Sequence, residues 1–333
     1  MTAPMTQPAS TFARSPQRDL ASDWRAEAAV LGLPSDAAVG FRPGARWAPG
    51  ALRDASLRYA LTPEGFFDLT RGETLLAGFG LVDAGDVALA GLTPERARER
   101  ITAAAAALRA RARLPLFLGG DHSLSFPLLC AYADVPELYV VQLDAHLDFS
   151  DLRGEERYSN GSPFRRAVEA LPNLAHVSVI GLRGIRTDPE AYAAALARGH
   201  TLITSEAVHD DLEAVIARLP VGRSVYLSYD VDVLDPALLP GTGSPEVEGL
   251  AYRQAAAIVA ATAARNRLVG ADLVELAPTL DPTGRSALVA ARALMDLFAA
   301  ARRTPREASV GERHDAPASP ANTIDTAAGR GRP

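Results

Sequence analysis

Residues 138–148 read LYVVQLDAHLD, and this stretch decides the fold. Five of its first six residues are apolar, so a strand formed here has apolar side chains on both faces. Strands that are buried on both faces lie in parallel sheets covered by helices. A second stretch, SVYLSYDVDVLDP at 224–236, again places carboxylates after an apolar strand. Together the two stretches predict a doubly wound α/β fold.

The rest of the chain alternates short β-branched runs with alanine-rich helical runs, as a doubly wound sheet requires. The predicted strands are residues 27–33, 79–82, 115–118, 138–143, 176–181, 201–204, 224–229 and 268–274. The predicted helices are residues 49–60, 93–113, 123–133, 163–171, 188–198, 210–219, 250–263 and 284–301. Because no repeat or linker interrupts this alternation, we expect one domain over residues 25–302.

The two ends of the chain differ in composition from this central region. Residues 1–24 are rich in Ser, Thr, Pro and Gln, and residues 303–333 have almost no large apolar side chains. Such segments bury too little apolar surface to offset the entropy lost on ordering. We therefore predict a disordered N-terminal extension over 1–24 and a disordered C-terminal tail over 303–333.

Composition excludes several classes of protein. With 34 basic and 40 acidic residues the net charge is −6, which argues against a nucleic-acid binder. The single cysteine, Cys130, excludes an intramolecular disulfide and fits a reducing compartment. No apolar run approaches the roughly 18 residues of a membrane helix, and the N-terminus lacks the apolar core of a secretory signal. We expect a cytoplasmic protein with no membrane or nucleic-acid partner.

Polar side chains follow four of the predicted strands. His122 lies in LPLFLGGDHS (114–123), and Glu275 lies in LVGADLVEL (268–276). The segments DAHLD (144–148) and DVD (230–232) follow the two strands quoted first. In open α/β sheets ligands bind beyond the carboxyl ends of the strands. The sequence therefore predicts a functional site at this edge of the sheet.

The residue types at that edge point to metal binding. The candidate ligands are His122, Asp144, His146, Asp148, Asp230 and Asp232. Within DAHLD and DVD they alternate along the chain, so they point to one side if the strands stay extended. Converging carboxylates in an apolar setting repel one another unless a cation balances them. Six ligands exceed the needs of one tetrahedral zinc, and an oxygen-rich set without thiolate suits Mn²⁺. We predict two Mn²⁺ per chain, bridged by shared carboxylates.

The motifs resemble those of a known family. GGDHS (119–123), DAHLD (144–148) and SYDVDVLDPALLPGTGSP (228–245) resemble the three signature motifs of the ureohydrolases: arginase, agmatinase, guanidinobutyrase and formimidoylglutamase. VGFRPGARWAPGALR (39–53) and VDAGDV (82–87) resemble the N-terminal part of that family. The resemblance implies an arginase-like domain with about eight parallel strands flanked by helices on both faces. It also implies a binuclear manganese centre, a small-molecule amidine substrate and a homo-oligomer, trimeric or hexameric.

The resemblance also implies roles for single residues. One metal would be held by His122, Asp144, Asp148 and Asp230. The other would be held by His146, Asp144, Asp230 and Asp232, with Asp144 and Asp230 bridging. Glu275 matches the glutamate that pairs with the amidinium nitrogens of the substrate, a role that suits a carboxylate. Asp148 is a candidate proton carrier as well as a ligand.

One departure from the family pattern bears on the substrate. In RYSNGSPF (157–164), Asn160 stands where arginases and agmatinases usually have histidine, and asparagine cannot shuttle a proton. A formamidinium carbon is less resonance-stabilised than a guanidinium carbon, so its hydrolysis needs less help. We therefore predict hydrolysis of N-formimino-L-glutamate to L-glutamate and formamide, a reaction of histidine degradation. The predicted substrate-binding residues are Asn160, Arg153, Arg157, Arg183 and Thr242.

Other functions stay open at this stage. An agmatinase or guanidinobutyrase would release urea, and Glu155 and Glu156 would suit a cationic substrate. Deacetylase relatives of the same fold use one zinc and do not need both DAHLD and DVD. A catalytically degenerate metal-binding homologue is a further alternative, supported only by Asn160. The arginines, taken singly, are equally explained as members of a solvated charged loop.

Truncation tests the role predicted for the C-terminal tail. A chain ending at Arg302 should retain the turnover of the full-length protein, because residues 303–333 cannot contribute to a core. Steady-state kinetics of the two chains provide the comparison. A large fall in kcat would mean that the tail contributes to the site or to an assembly.

Overall fold

The computed structural model of the protein describes residues 3–303, so nearly all of the predicted C-terminal tail lies outside the described residues. The strands are β1 Met5–Thr6, β2 Ala26–Gly32, β3 Phe66–Asp68, β4 Glu73–Leu75, β5 Leu81–Val87, β6 Ala112–Leu118, β7 Leu138–Leu143, β8 Leu174–Leu182, β9 Thr201–Thr204, β10 Ser224–Asp230 and β11 Arg267–Val274. The helices are α1 Ala48–Ser56, α2 Pro94–Arg109, α3 Ser125–Cys130, α4 Pro163–Ala170, α5 Pro189–Ala197, α6 Ser205–Asp210, α7 Leu212–Ala217, α8 Tyr252–Arg265 and α9 Arg285–Arg303.

Nine of these strands form one sheet, in the order β1-β5-β2-β6-β11-β10-β7-β8-β9. Eight are parallel, and β1 adds an antiparallel strand at one edge. The predicted eight-stranded parallel sheet is thus confirmed, with one additional strand. The four strands that carry the candidate site residues, β6, β11, β10 and β7, are adjacent at the centre, so their carboxyl ends meet at one place.

Helices cover both faces of the sheet, as the apolar strands predict. Successive residues of one strand enter different cores: Leu116 and Leu227 belong to one cluster, and Phe117 and Tyr226 belong to the other. This alternation follows from the two-residue period of a strand. Among residues 3–303, no helix combines the length and apolar character needed to cross a bilayer.

The N-terminal segment differs from its prediction. Met5–Thr6 pairs with β5, Phe12 is fully buried, and Leu20 is buried as well. The backbone N–H of Phe12 donates to Asp83 Oδ2 at 2.8 Å. The prediction of disorder is therefore wrong for residues 3–24. The average composition of the segment does not reveal that two large apolar residues, Phe12 and Leu20, are buried in the domain.

Smaller differences concern element boundaries. The strand predicted at 79–82 runs over Leu81–Val87 and so includes the whole VDAGDV motif. The helix predicted at 210–219 corresponds to the shorter α7, and α6 before it was not predicted. Asp211 separates the two helices and caps α7 by accepting from Ala214 N–H at 2.9 Å. The hairpin of β3 and β4 was not predicted at all.

A fully buried arginine joins α1 to β5. Arg53 donates from Nε and Nη2 to Asp83 at 2.8 and 3.0 Å, and from Nη1 to Asp86 at 2.6 Å. Neither Arg53 nor Asp83 exposes its side chain to solvent. Because Asp83 also accepts from Phe12, this ion pair fixes the N-terminal segment as well as α1.

Replacing Arg53 tests this anchor. Arg53→Met removes the cation that pairs with the buried Asp83, so we expect a loss of about 3–5 kcal/mol in unfolding free energy. Urea unfolding measures it, with Arg58→Met as the control, since Arg58 is exposed just beyond α1. Equal midpoints for the two variants would contradict the anchoring role.

Candidate metal centre and active site

His122 reaches the site through a glycine turn after β6. A Cβ on Gly120 would lie 1.6 Å from the carbonyl oxygen of Ser35, so only glycine fits this close approach. Asp121 then caps the short 3-10 turn that begins at His122, accepting from Ser123 N–H at 2.9 Å. Asp121 therefore supports the turn instead of joining the cluster.

The DAHLD segment leaves β7 in a tight, hydrogen-bonded turn. Asp144 accepts from His146 N–H at 2.6 Å and from Gln142 Nε2 at 2.7 Å, so its carboxylate is held from both sides. Asp148 has a φ of 49°, in the left-handed region that non-glycine residues rarely adopt. Such strained backbone persists where surrounding structure holds it, typically at functional sites.

The DVD segment connects β10 to the end of β7. Asp230 Oδ1 accepts from Asp232 N–H at 2.9 Å. Asp232 Oδ1 accepts from Ala145 N–H at 3.1 Å. In each carboxylate, Oδ1 accepts a backbone hydrogen bond and Oδ2 faces a histidine of the cluster.

The structure brings all six predicted metal ligands together. His122 Nδ1 lies 3.0 Å from Asp144 Oδ2, 2.9 Å from Asp148 Oδ2 and 3.1 Å from Asp230 Oδ2. His146 Nδ1 lies 3.0 Å from Asp232 Oδ2 and 3.5 Å from Asp144 Oδ1. Two groups could each hold an ion: His122, Asp144 and Asp230, and Asp144, His146 and Asp232. Asp144 belongs to both groups.

The surroundings of His122 show that this arrangement needs a cation. Ser228 donates its single hydroxyl proton to Asp272 at 2.7 Å, so the 2.9 Å contact between Ser228 Oγ and His122 Nε2 must take its proton from the histidine. A neutral His122 then directs its Nδ1 lone pair at three carboxylate oxygens. A protonated His122 has one Nδ1 proton for those three oxygens, and Nδ1 is buried without a well-formed hydrogen bond. A metal ion satisfies the nitrogen and the oxygens at once.

The carboxylates are also crowded. Burial and the neighbouring charge of Asp144 raise the pKa of Asp148 to about 6. Burial, with Asp232 and Asp144 close by, raises the pKa of Asp230 well above its usual range. Crowding of this kind favours the binding of divalent cations. The side chains therefore fit two metal ions, which would supply an activated water and polarise the substrate.

Glu275 follows β11 and lies directly beside the cluster. It has a φ of 63° and is 5% exposed. Its Oε1 accepts from His122 N–H at 2.9 Å and from Asn160 Nδ2 at 3.2 Å. Burial and the Asp121 carboxylate raise the pKa of Glu275 to about 8. Within residues 3–303, Glu275 Oε2 makes no hydrogen bond, so it is the oxygen available to a ligand.

A cavity of about 350 Å³ opens above these residues. Its walls come from the loop after β7, the segment after β8 and the segment after β10. The polar residues that line it beside the metal cluster are Ser150, Arg153, Ser159, Asn160, Arg183, Arg186, Thr187, Asp188, Ser244, Glu246 and Glu275.

Only part of the predicted substrate-binding set lies in this cavity. Asn160 and Arg153 line it. Arg183 lines it too, but its guanidinium donates to the backbone carbonyls of residues 181, 232–234, 246 and 247, so it fastens loops together. Arg157 lies outside the lining and pairs with Glu169 at 3.2 Å, and Thr242 is buried and outside the lining as well. The substrate-binding roles of Arg157 and Thr242 therefore stay predictions that the cavity lining does not support.

Three supporting residues were not predicted. Gln142 fixes Asp144, Ser228 fixes His122, and the buried Asp272 accepts from Ser228, Ser125 and Tyr226 at 2.7–2.8 Å. A sequence signal exists for two of them. Gln142 and Ser228 are polar residues inside apolar strands, two positions before Asp144 and Asp230 and therefore on the same strand face.

Comparison with known proteins defines the class that this fold and site represent. The model of the arginase family matches residues 26–299, most of the chain. The protein belongs to the arginase family and is a hydrolase of amidino C–N bonds.

Relatives with closely similar sequences carry names based on guanidino substrates. The human mitochondrial guanidino acid hydrolase is 33% identical over 280 residues, covering 82% of this chain and 78% of the relative. The mitochondrial agmatinase of Gallus gallus is 34% identical, covering 82% of this chain and 80% of the relative. The guanidinopropionase of Pseudomonas aeruginosa is 35% identical, covering 81% of this chain and 85% of the relative.

Solved structures give the same fold. The proclavaminate amidino hydrolase of Streptomyces clavuligerus superposes with a TM-score of 0.78 at 27% identity, covering 91% of this chain and all of that one. The formimidoylglutamase of Bacillus subtilis superposes with a TM-score of 0.75, covering 89% of this chain and 93% of that one. At 23% identity, the second similarity shows the fold alone.

Removal of a shared carboxylate tests the metal cluster. Asp144→Ala and Asp230→Ala each delete an oxygen ligand and leave His122 poorly supported, so both should lose bound metal and turnover while keeping the native circular dichroism. Elemental analysis after Mn²⁺ loading should give about two ions per wild-type chain, the number a two-metal site holds.

Asp151→Ala is the matched control, because Asp151 is a partly exposed carboxylate that pairs with Arg166 outside the cavity. It should keep the wild-type metal content. One ion or none in the loaded wild-type protein would contradict a binuclear site.

Proposed function

We propose that the protein hydrolyses a guanidino compound to urea and an amine, using two Mn²⁺ ions. The observation that carries the proposal is the buried Glu275 beside the metal cluster, with Oε1 held by His122 and Asn160 and Oε2 free. A carboxylate in this position accepts charge-assisted hydrogen bonds from a planar cationic amidinium. The binding of that group next to the metal ligands would present its carbon to attack.

The choice of a guanidine over a formamidine rests on sequence similarity. The relatives at 33–35% identity are named for guanidino acids, guanidinopropionate and agmatine. Formimidoylglutamases are similar at 23–24% identity, a level that shows only the fold. The urea-releasing alternative is thus better supported than the predicted formiminoglutamate hydrolysis.

Formiminoglutamate remains a second candidate because of Asn160. Its amide donates to Glu275 and so lies where it would contact the reacting group. An asparagine can orient a substrate there but cannot move a proton. With a guanidine, the proton for the departing amine would come from Asp148, which lies at the base of the cavity 2.9 Å from His122 Nδ1, or from water.

The proposal extends to cell location and assembly. We propose a cytoplasmic enzyme, since a single cysteine fits a reducing compartment. We also propose a homo-oligomer, as the family resemblance implies.

A substrate comparison tests the proposed function. Wild-type protein loaded with Mn²⁺ should show a higher kcat/KM for agmatine or a guanidino acid than for N-formimino-L-glutamate, by tenfold or more. That ratio corresponds to about 1.4 kcal/mol of transition-state binding. A tenfold preference for formiminoglutamate would restore the second candidate.

Glu275→Gln tests the amidinium contact in the same assay. The substitution keeps the shape but cannot carry the negative charge that a bound amidinium stabilises on Glu275, so kcat/KM for the preferred substrate should fall by about 10- to 100-fold, the size of a lost charge-assisted hydrogen bond. Bound metal should stay at the wild-type level, because Glu275 is not among the ligands. Unchanged kinetics would exclude the contact.

A further inference from the structure

Three arginines line the cavity. Two of them have their guanidinium groups occupied by protein partners, and the third does not. Arg183 is committed to backbone carbonyls. Arg186 pairs with Glu246 at 3.0 Å. Arg153 makes one side-chain hydrogen bond within residues 3–303, from Nη1 to Asn160 Oδ1 at 2.8 Å. Its Nε and Nη2 donors are therefore available to a ligand.

The position of Arg153 is defined by its neighbours. Arg153 and Glu156 exchange backbone hydrogen bonds of 2.9 and 3.2 Å, which closes the turn that carries the side chain. The guanidinium lies against Gly40, where a Cβ would be 2.5 Å from Cζ. A larger residue than glycine at position 40 would displace the guanidinium from the cavity wall.

Arg153 also sets the orientation of Asn160. Because a guanidinium only donates, Asn160 must direct its carbonyl oxygen to Arg153 and its NH₂ group to Glu275. Arg153 and Glu275 are thus separated by two hydrogen bonds and one amide group. One end of the cavity offers a free carboxylate oxygen and the other offers free guanidinium donors, a short distance apart.

The acidic residues of the cavity are less available. Asp188 caps α5 by accepting from Glu190 N–H at 2.9 Å. Glu246 is paired with Arg186 and faces His146 Nε2 at 3.7 Å. Beyond the metal ligands and Glu275, the acidic groups lining the described cavity are therefore partnered. This distribution favours a substrate whose far end is anionic.

We propose that Arg153 determines specificity by binding the carboxylate of a short ω-guanidino acid whose guanidinium is bound by Glu275. The inference rests on the proposed function and narrows it to substrates with a carboxylate tail. A guanidinium matches a carboxylate with two parallel hydrogen bonds, so Nε and Nη2 can bind the tail while Nη1 keeps Asn160 in place.

The experiment compares three substrates that share a guanidinium: two have an anionic tail and one has a cationic tail. Mn²⁺-loaded wild-type protein and Arg153→Met are assayed for urea release from 3-guanidinopropionate, 4-guanidinobutyrate and agmatine. Arg153→Met should lower the ratio of kcat/KM for the better acid to that for agmatine by tenfold or more, through KM. Because each ratio is measured on one preparation, partial inactivation does not change it, and a shifted Asn160 acts at the guanidinium that all three substrates share.

Arg157→Met is the matched control, since it removes an arginine from the same loop but outside the cavity, and its ratio should equal that of the wild type. An Arg153→Met ratio equal to the wild-type ratio would overturn the proposal. So would a tenfold preference of the wild type for agmatine over both acids, which would leave guanidine hydrolysis standing. Failure to cleave any of the three would instead mean that the proposed function is wrong.

Discussion

The constraint on which the site depends is a single imidazole nitrogen shared among three carboxylates. His122 Nδ1 lies within 3.1 Å of Asp144, Asp148 and Asp230, and its other nitrogen is committed to Ser228. Without a cation, these groups repel or compete for one proton. This unfavourable arrangement persists because the surrounding fold holds each side chain through its backbone or through a buried hydrogen-bond partner. The strained φ angles of Asp148 and Glu275 add to the unfavourable free energy of the site.

The order of the strands in the sheet brings these side chains together. β6, β11, β10 and β7 are adjacent, so His122, Glu275, Asp230 and Asp144 converge although they are far apart in sequence. Behind them, Asp272 accepts three hydroxyl hydrogen bonds and anchors Ser228. The metal cluster is therefore supported by rigid central strands, whereas the cavity walls come from loops. This division explains how a common hydrolytic centre can serve substrates with different tails.

Much of this architecture could be predicted from sequence. All eight parallel strands follow from short apolar runs. The six candidate ligands come directly after three of those runs, and within DAHLD and DVD they alternate, so strand periodicity predicts that they share a direction. No comparable periodicity predicts the direction of side chains in loops. Arg153 and Arg157 look equivalent in sequence, yet one lines the cavity and the other pairs with Glu169. The commitment of Arg183 to carbonyls, and the anchoring of residues 3–24 by Phe12, depend on tertiary contacts that no local pattern encodes.

The central claim is that the carboxylate–imidazole cluster exists to hold two metal ions. A crystal structure of the Mn²⁺-loaded protein, with anomalous data collected at the manganese absorption edge, tests it most directly. The account predicts two anomalous peaks per chain. One lies among His122, Asp144, Asp148 and Asp230, and the other among His146, Asp144, Asp230 and Asp232. A single peak, or peaks away from these side chains, would contradict it.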